Sequence, residues 1–126
     1  MQEESDLLRT ARDQLNDYFN GQRQDFLLPL APRGTPFQRR VWNGICDIPY
    51  AEVKSYGDLS TKLNTGARAV GTACARNPIP IIIPCHRVVG SNGALTGYSG
   101  AGGLASKKKL LVLEGYKFLS LIHICS

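Results

Sequence analysis

Three prolines fence the middle of this 126-residue chain. In "NPIPIIIPCHRVVG", residues 77–90, Pro78, Pro80 and Pro84 each remove a backbone donor and restrict the residue before them, so no helix fits. The isoleucines between them are β-branched, and the spacing predicts a short, buried, strand-like segment over 79–84. That segment delivers a thiol and an imidazole side by side, Cys85 and His86, followed by Arg87. A buried structural cysteine before a polar turn is the plain reading. A nucleophile on a rigid support is the other, and the flanking sequence bears on the choice.

Helical spacing of Leu7, Leu8, Ala11, Leu15, Tyr18 and Phe19 predicts a first helix from Ser5 to about Asn20, with Ser5 as its cap and Gly21 as its stop. "DFLLPL", 25–30, reads as a short strand, and "APRGTP", 31–36, as a linker. Thr35 then caps a second helix with Pro36 in its first turn. Its apolar face is Phe37, Val41, Trp42, Ile45 and Ile48, which makes Trp42 a core residue. Ser55 and Asp58 have capping-box spacing for a short helix over 56–63, and "ARAVGTACAR", 67–76, forms another, stopped at Asn77-Pro78. Two short helices joined by a tight turn resemble a helix-turn-helix. The second is slim: Ala67, Ala69, Val70, Gly71, Ala73 and Ala75 leave Arg68 as the one large side chain near its start, so it can approach another surface closely. After a glycine-rich loop over 88–103 with an Asn92-Gly93 turn, "LASKKKLLVLE", 104–114, is helical with Gly115 as C-cap. Lys107, Lys108 and Lys109 read as a solvated face. The uncharged end of "YKFLSLIHICS" fits nothing before it, and residues 119–126, His123 and Cys125 included, are set aside as foreign to the domain.

The net charge of +5 divides unevenly. Residues 1–30 hold three basic and six acidic side chains, whereas residues 31–118 hold twelve and four, giving −3 and +8. A basic body points to a polyanion, nucleic acid first among them. The chain has no apolar stretch of about 18 residues to span a membrane, and its acidic opening predicts no secretion signal. Four scattered cysteines and two histidines, with no C-x-x-C pair, argue against zinc and for reduced thiols in a cytoplasmic protein. Each thiol then needs an explanation in packing or reactivity.

A cysteine reacts as thiolate, favoured near cations or a helix N-terminus. A helical turn beginning after Pro84 puts Cys85 at its positive end, close to Arg87. Neighbours on a helix do not face each other, so His86 reaches the thiol through a water and needs a third group to orient it. Glu114, the one acid after Asp58, is the candidate. "GYSGAGG" lacks the lysine and spacing of a phosphate loop, and Tyr98 and Ser99 within it are placed to hydrogen-bond something seated beside Cys85.

Those residues carry a resemblance. "RAVGTACARNPIPIIIPCHRV" running into "PCHRVVGSNGALTGYSG", with "TPFQRRVW", "IPYAEVKSYGDL" and the closing "LLVLEG", is similar to the C-terminal domain of the O6-alkylguanine-DNA alkyltransferases, almost continuously over 35–115. The resemblance implies a mainly α fold with short strands, a winged-helix-like helix-turn-helix domain over 31–118. Residues 1–30 look like the remnant of an α/β N-terminal domain, its last helix and strand. The family's chemistry is direct repair: an alkyl group passes from O6-alkylguanine, and also O4-alkylthymine, in double-stranded DNA to the protein's own cysteine, once per molecule.

By that resemblance Cys85 is the acceptor, His86 takes its proton through water, Glu114 orients His86, and Asn77 braces the turn. Arg68 fills the space left by the flipped base, Tyr56 crowds the phosphate and donates toward the base, Ala67 and Gly71 lie on the helix against the minor groove, and Tyr98 and Ser99 belong to the loop that closes on the base. No cofactor and no metal are implied. The expected protein is a monomer, cytoplasmic and with the nucleoid in a prokaryote. The chain differs from the family in a shorter turn before Arg68, a nearly absent N-terminal domain and an unrelated tail. A non-catalytic binder of alkylated DNA and a Cys/His thiol hydrolase are the alternatives.

Overall fold

The computed structural model describes residues 2–90, 95 and 103–116, with side chains from residue 6 onward. Contacts divide the chain into two units, Met1–Ala31 and Pro32–Ser126.

In the first unit, α1 runs Gln2–Phe19. It begins before Ser5, which is therefore not its cap; Glu3 and Glu4 are good helix formers, and acids suit a first turn. Gly21, at φ +76, ends it: the Gln22 N–H donates to the Asp17 carbonyl (2.8 Å) and the Gly21 N–H to that of Tyr18 (3.1 Å). The strand expected over 25–30 is not formed. A strand needs a neighbour's backbone, and here a side chain supplies both partners instead. The Gln14 amide donates to the Leu27 carbonyl and accepts its N–H, each at 2.9 Å.

The second unit holds α2 (Pro36–Cys46), β1 (Lys54–Ser55), α3 (Tyr56–Lys62), α4 (Ala67–Ala75), a 3₁₀ turn (Cys85–Arg87), β2 (Val88–Val89) and α5 (Gly103–Leu113). Thr35 and Gln38 close the capping box of α2, Ser55 and Asp58 that of α3. Each box satisfies two otherwise orphaned donors at a helix start. Val41, Trp42 and Ile45 of α2, Leu59 of α3, Val70 and Ala73 of α4, and Ile83 and Val88 share one core. Trp42 ties two helices together, its indole N–H donating to the Ala73 carbonyl at 2.9 Å. That ring passes so close to Gly34 that a Cβ there would lie 2.6 Å from it.

Between α3 and α4 the turn is tight because Asn64 adopts φ +56. The Thr65 N–H reaches the Ser60 carbonyl at 2.8 Å, and the Asn64 N–H that of Thr61 at 3.3 Å. Asn is among the few side chains that enter this backbone region readily. Helix α4 restarts from Gly66, which offers no side-chain cap. The domain is thus mainly helical, with a helix-turn-helix in α3–α4 and, among the described residues, a two-stranded parallel sheet. In that sheet Lys54 pairs with Val88 and Ser55 with Val89. This ladder couples the residue before Tyr56 to the residues after Arg87. Among the described residues no helix is long and apolar enough to cross a membrane.

Candidate active site and nucleic-acid interface

Asn77 organises the return from α4. Its Nδ2 donates to the Ile83 carbonyl (2.8 Å) and to Cys85 Sγ (3.1 Å), while its Oδ1 accepts the Ile79 N–H (2.9 Å). The segment between is not the buried strand expected. It is a compact reversal in which the Ile83 N–H bonds the Ile79 carbonyl at 3.0 Å. Ile81 sits at φ +79, a conformation that costs a β-branched residue about 1–3 kcal/mol. Of the isoleucines Ile83 alone is buried; Ile79, Ile81 and Ile82 are partly exposed. With no amide hydrogen on Pro80 or Pro84, a ladder could not continue through the segment. Pro84 (φ −81, ψ 63) centres an inverse γ-turn closed by the Cys85 N–H on the Ile83 carbonyl at 2.8 Å. Cys85 therefore emerges from two stacked turns rather than from a strand end, and it opens the 3₁₀ turn.

Cys85 is 4% exposed, and its Sγ lies 3.8 Å from the Cys74 carbonyl oxygen. A hydrogen bond with the Cys74 thiol, together with burial, holds the Cys85 pKa well above the ordinary thiol value; Asn77 and the Lys107 ammonium pull it down. At rest it keeps its proton and needs a base to act. Arg87, expected beside the thiol, turns the other way. Its Nε and Nη2 donate to the two Glu114 oxygens at 2.9 and 3.0 Å, its Nη1 donates to the Ile48 carbonyl at 2.8 Å, and the guanidinium lies 5.6 Å from the Tyr50 ring centroid. A buried guanidinium must spend its donors on acceptors, and the nearest charge of opposite sign decides where.

Glu114 receives two further bonds. The Ala51 N–H, presented by a φ of +67, reaches Oε1 at 3.0 Å, and His86 Nε2 reaches Oε2 at 2.7 Å. Gly115 at φ +90 fixes the carboxylate's place at the end of α5, where the Tyr116 N–H bonds the Leu111 carbonyl at 2.9 Å and the Gly115 N–H that of Val112 at 3.0 Å. Held by Arg87, the carboxylate is ionised and can only accept. His86 Nε2 is therefore the donor, and Nδ1 carries the lone pair. Nδ1 has no hydrogen-bond partner among the described residues. Burial pushes the His86 pKa down, against the opposing pull of Glu114, so the imidazole is neutral.

Lys107 was expected in a solvated face. Lys108 and Lys109 are exposed, but Lys107 is fully buried, its ammonium 5.7 Å from the Tyr56 ring centroid. Burial draws its pKa down to about 8, while Cys74 and Cys85 act to raise it. Helical spacing holds the signal: Lys107, Leu110, Leu111 and Glu114 form one buried stripe, at i, i+3, i+4 and i+7. Arg87 had no such local signal, since its partner lies 27 residues on. Tyr56 is half-buried, and burial, followed by Cys74 and Cys85, pushes its phenol up to about 12, so the hydroxyl remains a donor.

Cys85, His86, Glu114 and Asn77 thus meet around one turn, and Lys107 lies over the Tyr56 ring. Arg68 and Ala67 stand apart on the exposed side of α4, opposite the buried Val70, Ala73 and Cys74. Gly71 is partly buried, and a Cβ on it would meet the Tyr56 ring at 4.0 Å. Tyr98 and Ser99 lie outside the described residues, as do the Asn92-Gly93 turn and the tail over 119–126. Among the described residues no three of His, Cys, Asp and Glu are grouped as metal ligands.

Residues 36–116 match the DNA binding domain of 6-O-methylguanine DNA methyltransferase. A methylated-DNA–protein-cysteine methyltransferase of Methanosarcina acetivorans is 50% identical over 115 residues, covering 90% of this chain and 72% of its own length. The structure of Mycobacterium tuberculosis OGT in complex with DNA superposes with a TM-score of 0.79 at 50% identity, over 84% of this chain and 65% of that one. S. pombe Atl1, in complex with damaged DNA containing O6-carboxymethylguanine, is similar at a TM-score of 0.59 and 30% identity, over 68% of this chain and 82% of that one. Match, relatives and fold agree: the chain belongs to the 6-O-methylguanine DNA methyltransferase family.

Proposed function

We propose that this chain repairs DNA by taking the alkyl group of O6-alkylguanine, and of O4-alkylthymine, onto Cys85, once per molecule. The carrying observation is that Asn77 bonds the sulfur at 3.1 Å while the next residue, His86, is a neutral imidazole committed to Glu114 through Nε2 at 2.7 Å. Duplex DNA is the partner, a reading supported by the mycobacterial relative's structure in complex with DNA, and the damaged base has to leave the stack because the reacting carbon is out of reach within it. The exposed side of α4 is slim enough at Ala67 and Gly71 to approach the minor groove, and Arg68 fills the vacated space. Tyr56 crowds the phosphate, and its protonated hydroxyl donates to the base. Tyr98 and Ser99 close over it.

His86 Nδ1 accepts the Cys85 proton through a water, while Glu114, steadied by Arg87, holds the ring in that tautomer. The sulfur attacks the alkyl carbon in line, the carbon–oxygen bond breaks, and the base regains a proton. The thioether is not hydrolysed, so the cysteine is consumed. Residues 31–118 form the alkyltransferase domain, 1–30 correspond to the end of an α/β N-terminal domain, and 119–126 lie outside the family pattern. The protein works as a monomer, with the nucleoid if the cell is prokaryotic.

The test is intact mass after incubation with an oligonucleotide carrying O6-methylguanine. The expected result is a gain of one methyl, abolished by Cys85→Ala. Binding without a gain would mean a non-catalytic binder of alkylated DNA, and no binding would overturn the DNA reading.

A further inference from the structure

Arg40 lies on the exposed side of α2, outside the core, yet its guanidinium is held at two points. Its Nη1 donates to the Leu63 carbonyl at 2.6 Å, and its Cζ lies 5.5 Å from the centroid of the Phe37 ring, one turn back on the same helix. The ring keeps the guanidinium near its place, so less side-chain freedom is lost when the bond forms. A charged donor also makes a stronger bond than a neutral one. Leu63 is the C-cap of α3, and its carbonyl is one of those a helix leaves without an internal partner. Here the donor comes from a different helix, 23 residues earlier.

Leu63 opens the turn that leads to Arg68. Asn64 at φ +56 and Thr65 reverse the chain, and α4 then starts from Gly66, which supplies no side-chain cap. Arg68 is the second residue of that helix, so any tilt at Leu63 is passed on to it. Helix α2 meets the end of α3 at two further points. A Cβ on Gly44 would lie 3.4 Å from the Leu63 side chain, and Asp47 pairs with Lys62 at 3.8 Å. The ion pair is exposed at both ends and contributes little. Apolar packing on Leu63 is non-directional. The Arg40 bond is directional, and it fixes the carbonyl from which the turn departs.

We propose that Arg40 is a positioning residue for alkyl transfer: from α2 it locks the α3–α4 turn and thereby aims Arg68 at the space the flipped base vacates. The role rests on the repair reading, and it is exerted through Arg68 rather than on the DNA.

The experiment uses the full chain and Arg40→Met, which keeps an apolar stem against Phe37 and removes every donor. Single-turnover methyl transfer is measured from O6-methylguanine in duplex and in single-stranded oligonucleotide. Transfer from duplex is expected to slow about threefold, with transfer from single strand unchanged. Arg40→Lys, which retains a charged donor, is expected to recover most of the loss. In the Arg68→Ala background Arg40→Met is expected to cost nothing more, because the two residues act as one unit. Equal slowing on both substrates would mean a general structural loss, and the same loss persisting without Arg68 would mean an independent phosphate contact; either overturns the proposal. Amide hydrogen exchange reads the turn without any chemistry. Residues 64–68 are expected to exchange about threefold faster in Arg40→Met, with those around Trp42 unchanged. No change over 64–68 would also overturn the proposal. A parent that takes no methyl from either oligonucleotide removes the repair reading, and the exchange comparison then still shows whether Arg40 holds the turn.

Discussion

The two sides of Cys85 are built on opposite rules. On one side His86, Arg87 and Glu114 are each 5% exposed or less, and every oxygen of the carboxylate is taken by a donor at 2.7–3.0 Å. On the other side, Arg68 and Ala67 lie exposed at the start of α4, a helix whose small residues keep its surface low. Charges taken out of water must be paired, and pairing fixes them to within a rotamer. Charges meant for a partner stay in water until that partner arrives, at little cost to the fold. The carboxylate side is therefore fixed within the fold itself, whereas the exposed start of α4 is left open for the proposed DNA contact.

Glu114→Gln tests the rigid side with the largest expected effect. It leaves a buried guanidinium without its charge partner, which costs about 3 kcal/mol in urea unfolding, and methyl transfer slows as the imidazole loses its orientation. A loss below about 0.5 kcal/mol, the range of an ordinary surface change, would break the contrast. Arg68→Ala tests the open side. Stability is expected to stay within about 0.5 kcal/mol of the parent, while transfer from duplex falls on the order of tenfold, about 1.4 kcal/mol in the barrier. Binding to undamaged duplex falls less, and transfer from single-stranded O6-methylguanine, which has no stack to leave, does not change. Equal losses of transfer and binding would remove the finger role.

The smallest effect is acidic. The folded His86 pKa lies below the ordinary 6.5, so as pH drops the unfolded chain takes up the proton first. This contribution to stability is full above about pH 6.5 and is lost below it, with a slope of at most about 1.4 kcal/mol per pH unit. Urea midpoints measured from pH 7 to 5 should show that slope in the parent and a shallower one in His86→Gln. Identical slopes would mean that the buried imidazole is not neutral.

The starts of α2 and α3 were legible in the sequence. Thr35 with Pro36 announces α2 and Ser55 with Asp58 announces α3, and the structure closes a capping box at each, the one at α2 through Gln38. Cys85, His86, Asn77 and Glu114 were named from sequence and resemblance, and all four surround one turn. The path into that turn was misread, because β-branched residues in "IPIIIP" suggest a strand while the prolines withhold the donors a ladder requires. Lys107 was misread because three adjacent lysines hide the one that falls on the buried stripe. The strand expected over 25–30 failed for a related reason: extended sequence becomes a strand when another backbone lies beside it, and Leu27 meets a glutamine side chain instead.

What the sequence by itself determined is whatever closes within a turn: the caps of α2 and α3, the Gly115 stop of α5, the slimness of α4, and the thiol next to the imidazole. These depend on donors and acceptors a few residues apart, which chain geometry brings together in any fold. What tertiary structure decided is where the buried charges go. Arg87 leaves the thiol for a carboxylate 27 residues away, and Glu114 takes a backbone donor from Ala51, 63 residues before it. Lys107 comes to rest over Tyr56, where burial lowers its pKa against the pull of both thiols. A charge removed from water takes the partner that packing provides, and packing is a property of the whole core.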